Sequence, residues 1–212
     1  NKFVQIADEQ LPDARLPVKG LGEWAIVSTS KPYSVSSMWE GRTRSDYYKV
    51  SLTTGERTQI AEADYAGYRL SPAGKYVGTY NATDSCWYTI RLADNRKVQL
   101  TTPKTFPAWD EESDYPDYPR GHGYSGWTKD DGAILIHDRY DIWSFDPNGE
   151  KAPVKLTKNG RENKITYRRI SLDREQEYID LNQQMMLTGY NEVDKSTGLY
   201  RARLSAPANP AL

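Results

Sequence analysis

Few residues in this chain have the type and spacing to do chemistry. The string Gly123-Tyr124-Ser125-Gly126-Trp127 comes nearest to a serine nucleophile elbow. Such an elbow needs G-x-S-x-G on a turn from strand to helix. Here the second glycine falls one place early, and the segment runs on into a strand-like stretch. There are two histidines, His122 and His137, with no H-x-x-x-H spacing and only one cysteine beside them. That excludes the usual zinc arrangements. His122 lies between glycines, which predicts an exposed loop position, and His137 closes an apolar stretch, which predicts packing or bonding inside a sheet. Cys86 has no base near it in sequence and reads as a small buried hydrophobe.

Charged residues offer two further clusters. Asp110, Glu111, Glu112, Asp114 and Asp117 crowd into one segment. Clustered carboxylates can hold a cation or an amine, but the spacing is not that of a calcium loop with its glycine. A solvated loop, with Trp109, Tyr115 and Tyr118 sealing an edge, is the simpler expectation. Asp138-Arg139-Tyr140-Asp141 places two acids around an arginine just before a strand. Asp138, Arg139 and Asp141 are therefore expected to form a structural network of ion pairs and hydrogen bonds. No metal or other cofactor is expected.

The elements that carry these residues follow from a repeat. YYKVSLTTG (47–55), WYTIRLADN (87–95), DIWSFDPNG (141–149) and LYRARLSAP (199–207) align as short alternating strands, the first three ending in turn residues. Thr54-Gly55, Asp94-Asn95 and Asn148-Gly149 suit the positive φ of tight turns. Upstream of each lies a strand–turn–strand string: GLGEWAIV (20–27), LSPAGKYV (70–77), WTKDDGAILI (127–136) and ISLDREQEYI (170–179). Downstream of the first three come RTQIA (57–61), KVQLT (97–101) and PVKLT (153–157). With Tyr48, Tyr88, Ile142 and Tyr200 as equivalents, the unit recurs at 40, 54 and 58 residues.

Four short antiparallel strands per unit at this period predict an all-β chain, a β-propeller segment of about four four-stranded blades within a larger propeller. A β-sandwich with coincidental turns is the competing architecture. The units are expected at 18–61, 66–101, 124–157 and 165–204, with 1–7 as the end strand of a preceding blade, because Val4–Ala7 matches Thr58–Ala61. The insert 102–123 holds four prolines and cannot be a central strand. Asp180–Leu187 reads as a second detour, inside the fourth unit.

Composition supports the all-β reading. The 212 residues have a mean hydropathy of −0.81, as polar as many disordered chains. Yet 16 Tyr and 6 Trp suit half-buried pleated surfaces. Lys plus Arg is 28 against 29 Asp plus Glu, so no basic surplus points to nucleic acid, and no apolar run is long enough to span a membrane.

The stretch 123–157, continued by 159–181 and 188–201 and preceded by LSPAGKYVGTYNATDSCWYTI (70–90), resembles the propeller of bacterial prolyl oligopeptidase-family serine peptidases, especially the large Bacteroidetes type. In that family an α/β-hydrolase domain carries the Ser-Asp-His triad, and the propeller gates peptide access to it. The resemblance implies that this chain alone is non-catalytic. It implies an α/β-hydrolase domain of the same parent chain as partner, peptides as substrates, and a periplasmic or secreted parent. In the dipeptidyl-peptidase branch two propeller glutamates hold the substrate's free amine. Glu111-Glu112 is the only adjacent glutamate pair here, although its proline-rich surroundings depart from the family's pattern. A TolB-like protein-binding scaffold and a carbohydrate-active propeller of the oligogalacturonate lyase kind are the alternative functions, and two histidines are few for the latter's metal.

Overall fold

The computed structural model describes residues 3–173 and 175–212. They divide into two compact units, 1–81 with 88–97, and 82–87 with 98–212. The secondary structure is almost entirely β.

In the first sheet β1 (Asp13–Arg15), β2 (Trp24–Thr29), β3 (Ser45–Ser51) and β4 (Arg57–Asp64) lie side by side in chain order. The pairing is antiparallel, with Ala14 opposite Val27 and Val27 opposite Tyr48. The second sheet holds β5 (Arg69–Leu70), β6 (Tyr76–Asn81), β7 (Cys86–Arg91) and β8 (Arg96–Gln99), again in order. The third holds β9 (Tyr124–Trp127), β10 (Ile134–His137), β11 (Ile142–Phe145) and β12 (Val154–Lys155). The fourth has three strands, β13 (Ile165–Arg169), β14 (Gln184–Asn191) and β15 (Thr197–Arg203). Successive up-and-down antiparallel sheets of this size have the connectivity of propeller blades.

The burial of the strands explains their composition. All four residues of β10 are buried, as are the first four of β6, so both faces of these strands are covered and neither shows a polar side. β8, the last strand of the second sheet, is exposed or half-exposed along its length and reads Arg-Lys-Val-Gln. Turns fall where the sequence places them: Gly55, Asn95 and Gly149 all take positive φ. The repeated threonine of the KVQLT and PVKLT strings has a defined task. Thr101 Oγ1 accepts from the Trp87 amide at 2.8 Å, and Thr157 Oγ1 accepts from the Ile142 amide at 3.0 Å. Each hydroxyl thereby satisfies a buried amide at the start of the aligned strand.

Each unit has its own core. In the first, Ile26, Tyr68, Val77, Ile90 and Leu92 form one cluster, and Leu11, Val27 and Val50 another. In the second, Leu135, Ile142, Leu156, Tyr167, Met185 and Leu187 pack together. Cys86 is buried, and its thiol donates to the Asp84 carbonyl.

Three features depart from the expected pattern. Val4–Ala7 forms no strand. The Arg57 guanidinium takes the Ile6 carbonyl and the Asp8 carboxylate, and Asp8 then turns the chain by accepting from the Gln10 and Leu11 amides. The first strand of the first sheet is Asp13–Arg15, upstream of residue 18. In the fourth sheet the second strand is Gln184–Asn191, so Gln184–Leu187 belongs to a strand and not to a detour. Met185, Leu187 and Gly189 alternate into the core there. Gly189 is required: a Cβ would sit 2.4 Å from the Tyr200 ring, which packs edge-on against Tyr167. No fourth strand of four or more residues follows β15; Ala211 alone bridges to Arg201.

Candidate binding site at the end of the third sheet

The corner between β10 and β11 is four residues long, Asp138–Asp141, and its sequence dictates its shape. Asp138 Oδ1 accepts from the Tyr140 and Asp141 amides at 2.8 and 2.6 Å, the pattern by which a short acidic side chain closes a turn on itself. Its Oδ2 accepts from Trp143 Nε1 at 3.2 Å. Asp141 is fully buried. It accepts from Thr157 Oγ1 (2.8 Å), the Gly160 amide (3.1 Å), the Arg161 amide (3.2 Å) and Lys155 Nζ (2.8 Å). A buried carboxylate is costly unless its lone pairs are filled, and four donors fill these.

Arg139 faces outward from the same turn and gathers two carboxylates. Its Nε and Nη2 donate to Glu192 at 2.9 and 3.0 Å, and Nη2 also donates to Glu112 at 2.9 Å. Tyr140 donates its hydroxyl to Glu192 at 2.8 Å. The Glu112 carboxyl is held below its ordinary range chiefly by the Arg139 hydrogen bond. Burial alone raises Glu192, but the hydrogen bonds from Arg139 and Tyr140 outweigh it and the net shift is downward. The two carboxylates raise Arg139 in turn. The Lys195 charge also lowers both carboxylates, and the Glu112 side chain is 69% exposed. Chemically, such a cluster can receive an ammonium group.

The adjacent glutamates thus do different things. Glu112 is bound to Arg139, whereas Glu111 is exposed with no interaction to a described residue. The partner brought to Glu112 is Glu192, from the turn after β14. Asp138, Arg139 and Asp141 occupy one turn; Arg161 serves both acids, by its side chain at Asp138 and its amide at Asp141, while Arg139 serves the two glutamates.

Beside this turn lies a serine–histidine pair. Ser125 Oγ and His137 Nε2 are 2.7 Å apart, and His137 Nδ1 faces the His122 carbonyl at 3.3 Å. With Nδ1–H donating to that carbonyl, Nε2 accepts from the serine. Burial, aided by the Arg168 charge, pushes His137 down to about 3, so its ring is neutral in the folded chain and only a weak base. His122 is not the exposed loop residue its glycine neighbours suggest. It is half-buried, and its Nε2 is buried without a hydrogen-bond partner. Burial and then the Arg168 charge hold it below the ordinary imidazole value. Among the described residues no group of three or more His, Cys, Asp or Glu is placed to hold a metal ion, and no helix is long and apolar enough to cross a membrane.

No protein-family model and no curated protein matches the sequence. Among solved structures the chain is similar to three propeller-containing or TolB proteins. One is assigned as TolB, from Agrobacterium tumefaciens, at 12% identity and a TM-score of 0.48, with 95% of this chain and 64% of that chain covered. The second is TolB from Acinetobacter baumannii, at 14% identity and 0.48, with 93% and 43% covered. The third is the β-propeller domain of the trilobed protease from Pyrococcus furiosus, at 13% identity and 0.40, with 94% and 71% covered. This chain therefore spans less than two thirds of either TolB protein. The blade-type reading of the fold stands on the sheet order itself.

Proposed function

We propose that the chain is a non-catalytic part of a larger β-propeller that selects peptides for a serine peptidase of the prolyl oligopeptidase kind. The observation that carries the reading is the Glu112–Arg139–Glu192 cluster, where two carboxylates meet on one guanidinium and Glu112 stands at a surface position. A peptide's free amino terminus is a cation of the right size, and a salt-linked arginine keeps both acceptors oriented before it arrives. The α/β-hydrolase domain that would supply the serine belongs, on this reading, to the parent chain. The Ser125–His137 pair plays a structural part and ties β9 to β10 where their pairing shifts register.

The test is to label the native source protein with a fluorophosphonate and read its intact mass. A labelled protein far above 24.2 kDa supports the reading. An unlabelled protein of about this mass overturns it. A second reading, a protein-binding scaffold, is favoured by one feature. Val35, Met38 and Trp39 stand 66%, 77% and 81% exposed around a single helical turn, α1 (Ser37–Glu40). Exposed apolar groups clustered in this way mark contact surfaces.

A further inference from the structure

On one face of the first sheet, Val27 and Val50 pack under Leu11, with Ile6 and Tyr48 against them. The next position along that face is the pair Thr29 and Asp46. There a cavity of about 350 Å³ opens, lined by Leu11, Pro32 and Tyr48 together with Lys31, Asp46 and Arg57. All of these residues belong to the first compact unit. The volume falls in the range of small-molecule sites, about 300–1,000 Å³.

Asp46 is only 8% exposed, yet just one of its oxygens is in use. Oδ1 accepts from Tyr33 Oη at 2.6 Å and from the Ala63 amide at 2.9 Å, and no described residue donates to Oδ2. The Ala63 amide reaches Asp46 because the pairing of β3 with β4 shifts register there and Ala63 takes left-handed backbone, φ 50°. Alanine rarely adopts that conformation, and bulges and strain of this kind gather beside binding sites. The cations that line the cavity leave Oδ2 unfilled. Arg57 is taken by Asp8 and the Ile6 carbonyl. Lys31 stands at the exposed rim, donates to the Glu9 carbonyl and pairs with no carboxylate of a described residue.

The cavity therefore offers a carboxylate oxygen without a donor inside and an ammonium without a counter-ion at its rim, and the two do not pair with each other. One molecule that carries both opposite charges answers both. We propose that this cavity binds a small zwitterion, an α-amino acid with an apolar side chain. Its ammonium donates to Asp46 Oδ2, its carboxylate meets Lys31, and its side chain lies against Leu11, Pro32 and Tyr48. The inference is independent of the amine-binding reading at Glu112 and Glu192.

The experiment titrates the 212-residue chain with L-leucine at neutral pH and follows the Ala63 amide by NMR, since that amide rests on Asp46. L-leucine is expected to shift the resonance saturably. Leucinamide, which lacks the carboxylate, and N-acetyl-leucine, which lacks the ammonium, are each expected to bind about tenfold or more weakly. Asp46→Asn keeps an oxygen for Tyr33 and the Ala63 amide but turns the other position into a donor, so it should fold and lose L-leucine binding by about tenfold or more. Lys31→Gln should weaken L-leucine by more than it weakens leucinamide. The proposal is overturned if L-leucine leaves the Ala63 resonance unmoved, or if Asp46→Asn binds it as tightly as the natural chain. It is also overturned if D-glucose moves the resonance and the amino acid does not, which would make this a polyol site. L-leucine held only at Glu112 and Glu192 would survive Asp46→Asn and leave Ala63 unmoved, so failure here is separate from failure there. Should Asp46→Asn not fold, Lys31→Gln and the two truncated ligands on the natural chain decide.

Discussion

The corner after the second strand is built in opposite ways in the first and third sheets. In the third, four residues join β10 to β11, and nearly every polar atom of Asp138 and Asp141 is hydrogen-bonded. In the first, residues 30–44 join β2 to β3, with the four-residue helix α1 inside the loop. An acid still stands at the start of the third strand: Asp46 is buried and accepts from Tyr33 Oη at 2.6 Å and the Ala63 amide at 2.9 Å. Two neutral donors serve it where Asp141 has four donors, one of them a lysine. A short corner over-determines its side chains and leaves Arg139 turned outward with little choice of partner. A long one relaxes the network and exposes apolar residues instead.

The sharpest way to break this comparison is to remove each acid. Asp141→Ala strands Lys155, Thr157 and two amides at a fully buried point, and should cost about 3–5 kcal/mol of unfolding free energy. Asp46→Ala strands one amide and one phenol and should cost about 1–3 kcal/mol. Urea unfolding of both variants measures the gap, and equal losses would show that the two corners are energetically alike. Gly160→Ala comes next. A Cβ there would lie 2.4 Å from Asp141 Oδ1, so the network must give way, at about 1–3 kcal/mol.

A smaller effect separates the corners by pH. His137 stays neutral in the folded chain because its pKa is pushed from 6.5 down to about 3. Between those values the unfolded chain binds a proton that the folded chain refuses, so stability is full above about pH 6.5 and is lost as pH falls toward 3. Glu112 and Glu192 are lowered from 4.5 and add loss only below that value. His137→Gln should flatten the curve between pH 6.5 and 4.5 while leaving the steeper acid limb. Thermal unfolding across that range decides it; an unchanged slope would mean that His137 is not held neutral.

What the sequence made legible follows the range of the interactions. Turns at Gly55, Asn95 and Gly149 depend on one residue's backbone freedom and could be read directly. So could the acids around Arg139, since a turn of four residues is local. Glu192 could not, because it reaches Arg139 across 53 residues with no local signal. Adjacency in sequence suggested Glu111 and Glu112 as a pair, but the two lie in a turn closed by Asp110, and only Glu112 meets Arg139. The β14 strand was missed because its core face reads Met-Leu-Gly, which lacks the β-branched signature of a strand. His122 was expected in solvent on the strength of its glycines. Antiparallel bridging of Trp109 to Gly121 and the His122 amide on the Ala108 carbonyl draw it partly inside.

The smallest effect expected is at Trp39, and its smallness is the point. Trp39 is 81% exposed, so Trp39→Ala should change unfolding free energy by less than about 0.5 kcal/mol. A tryptophan held in water by a long loop gives the fold little, so its apolar surface is available for a partner. The same holds for Met38, next to it on α1. If Trp39→Ala instead costs as much as Gly160→Ala, the long corner is packed in solution as tightly as the short one, and the contrast drawn between them fails. If the cost is negligible, the division stands: the third sheet's corner spends its polar groups on structure, and the first sheet's corner leaves an apolar surface free.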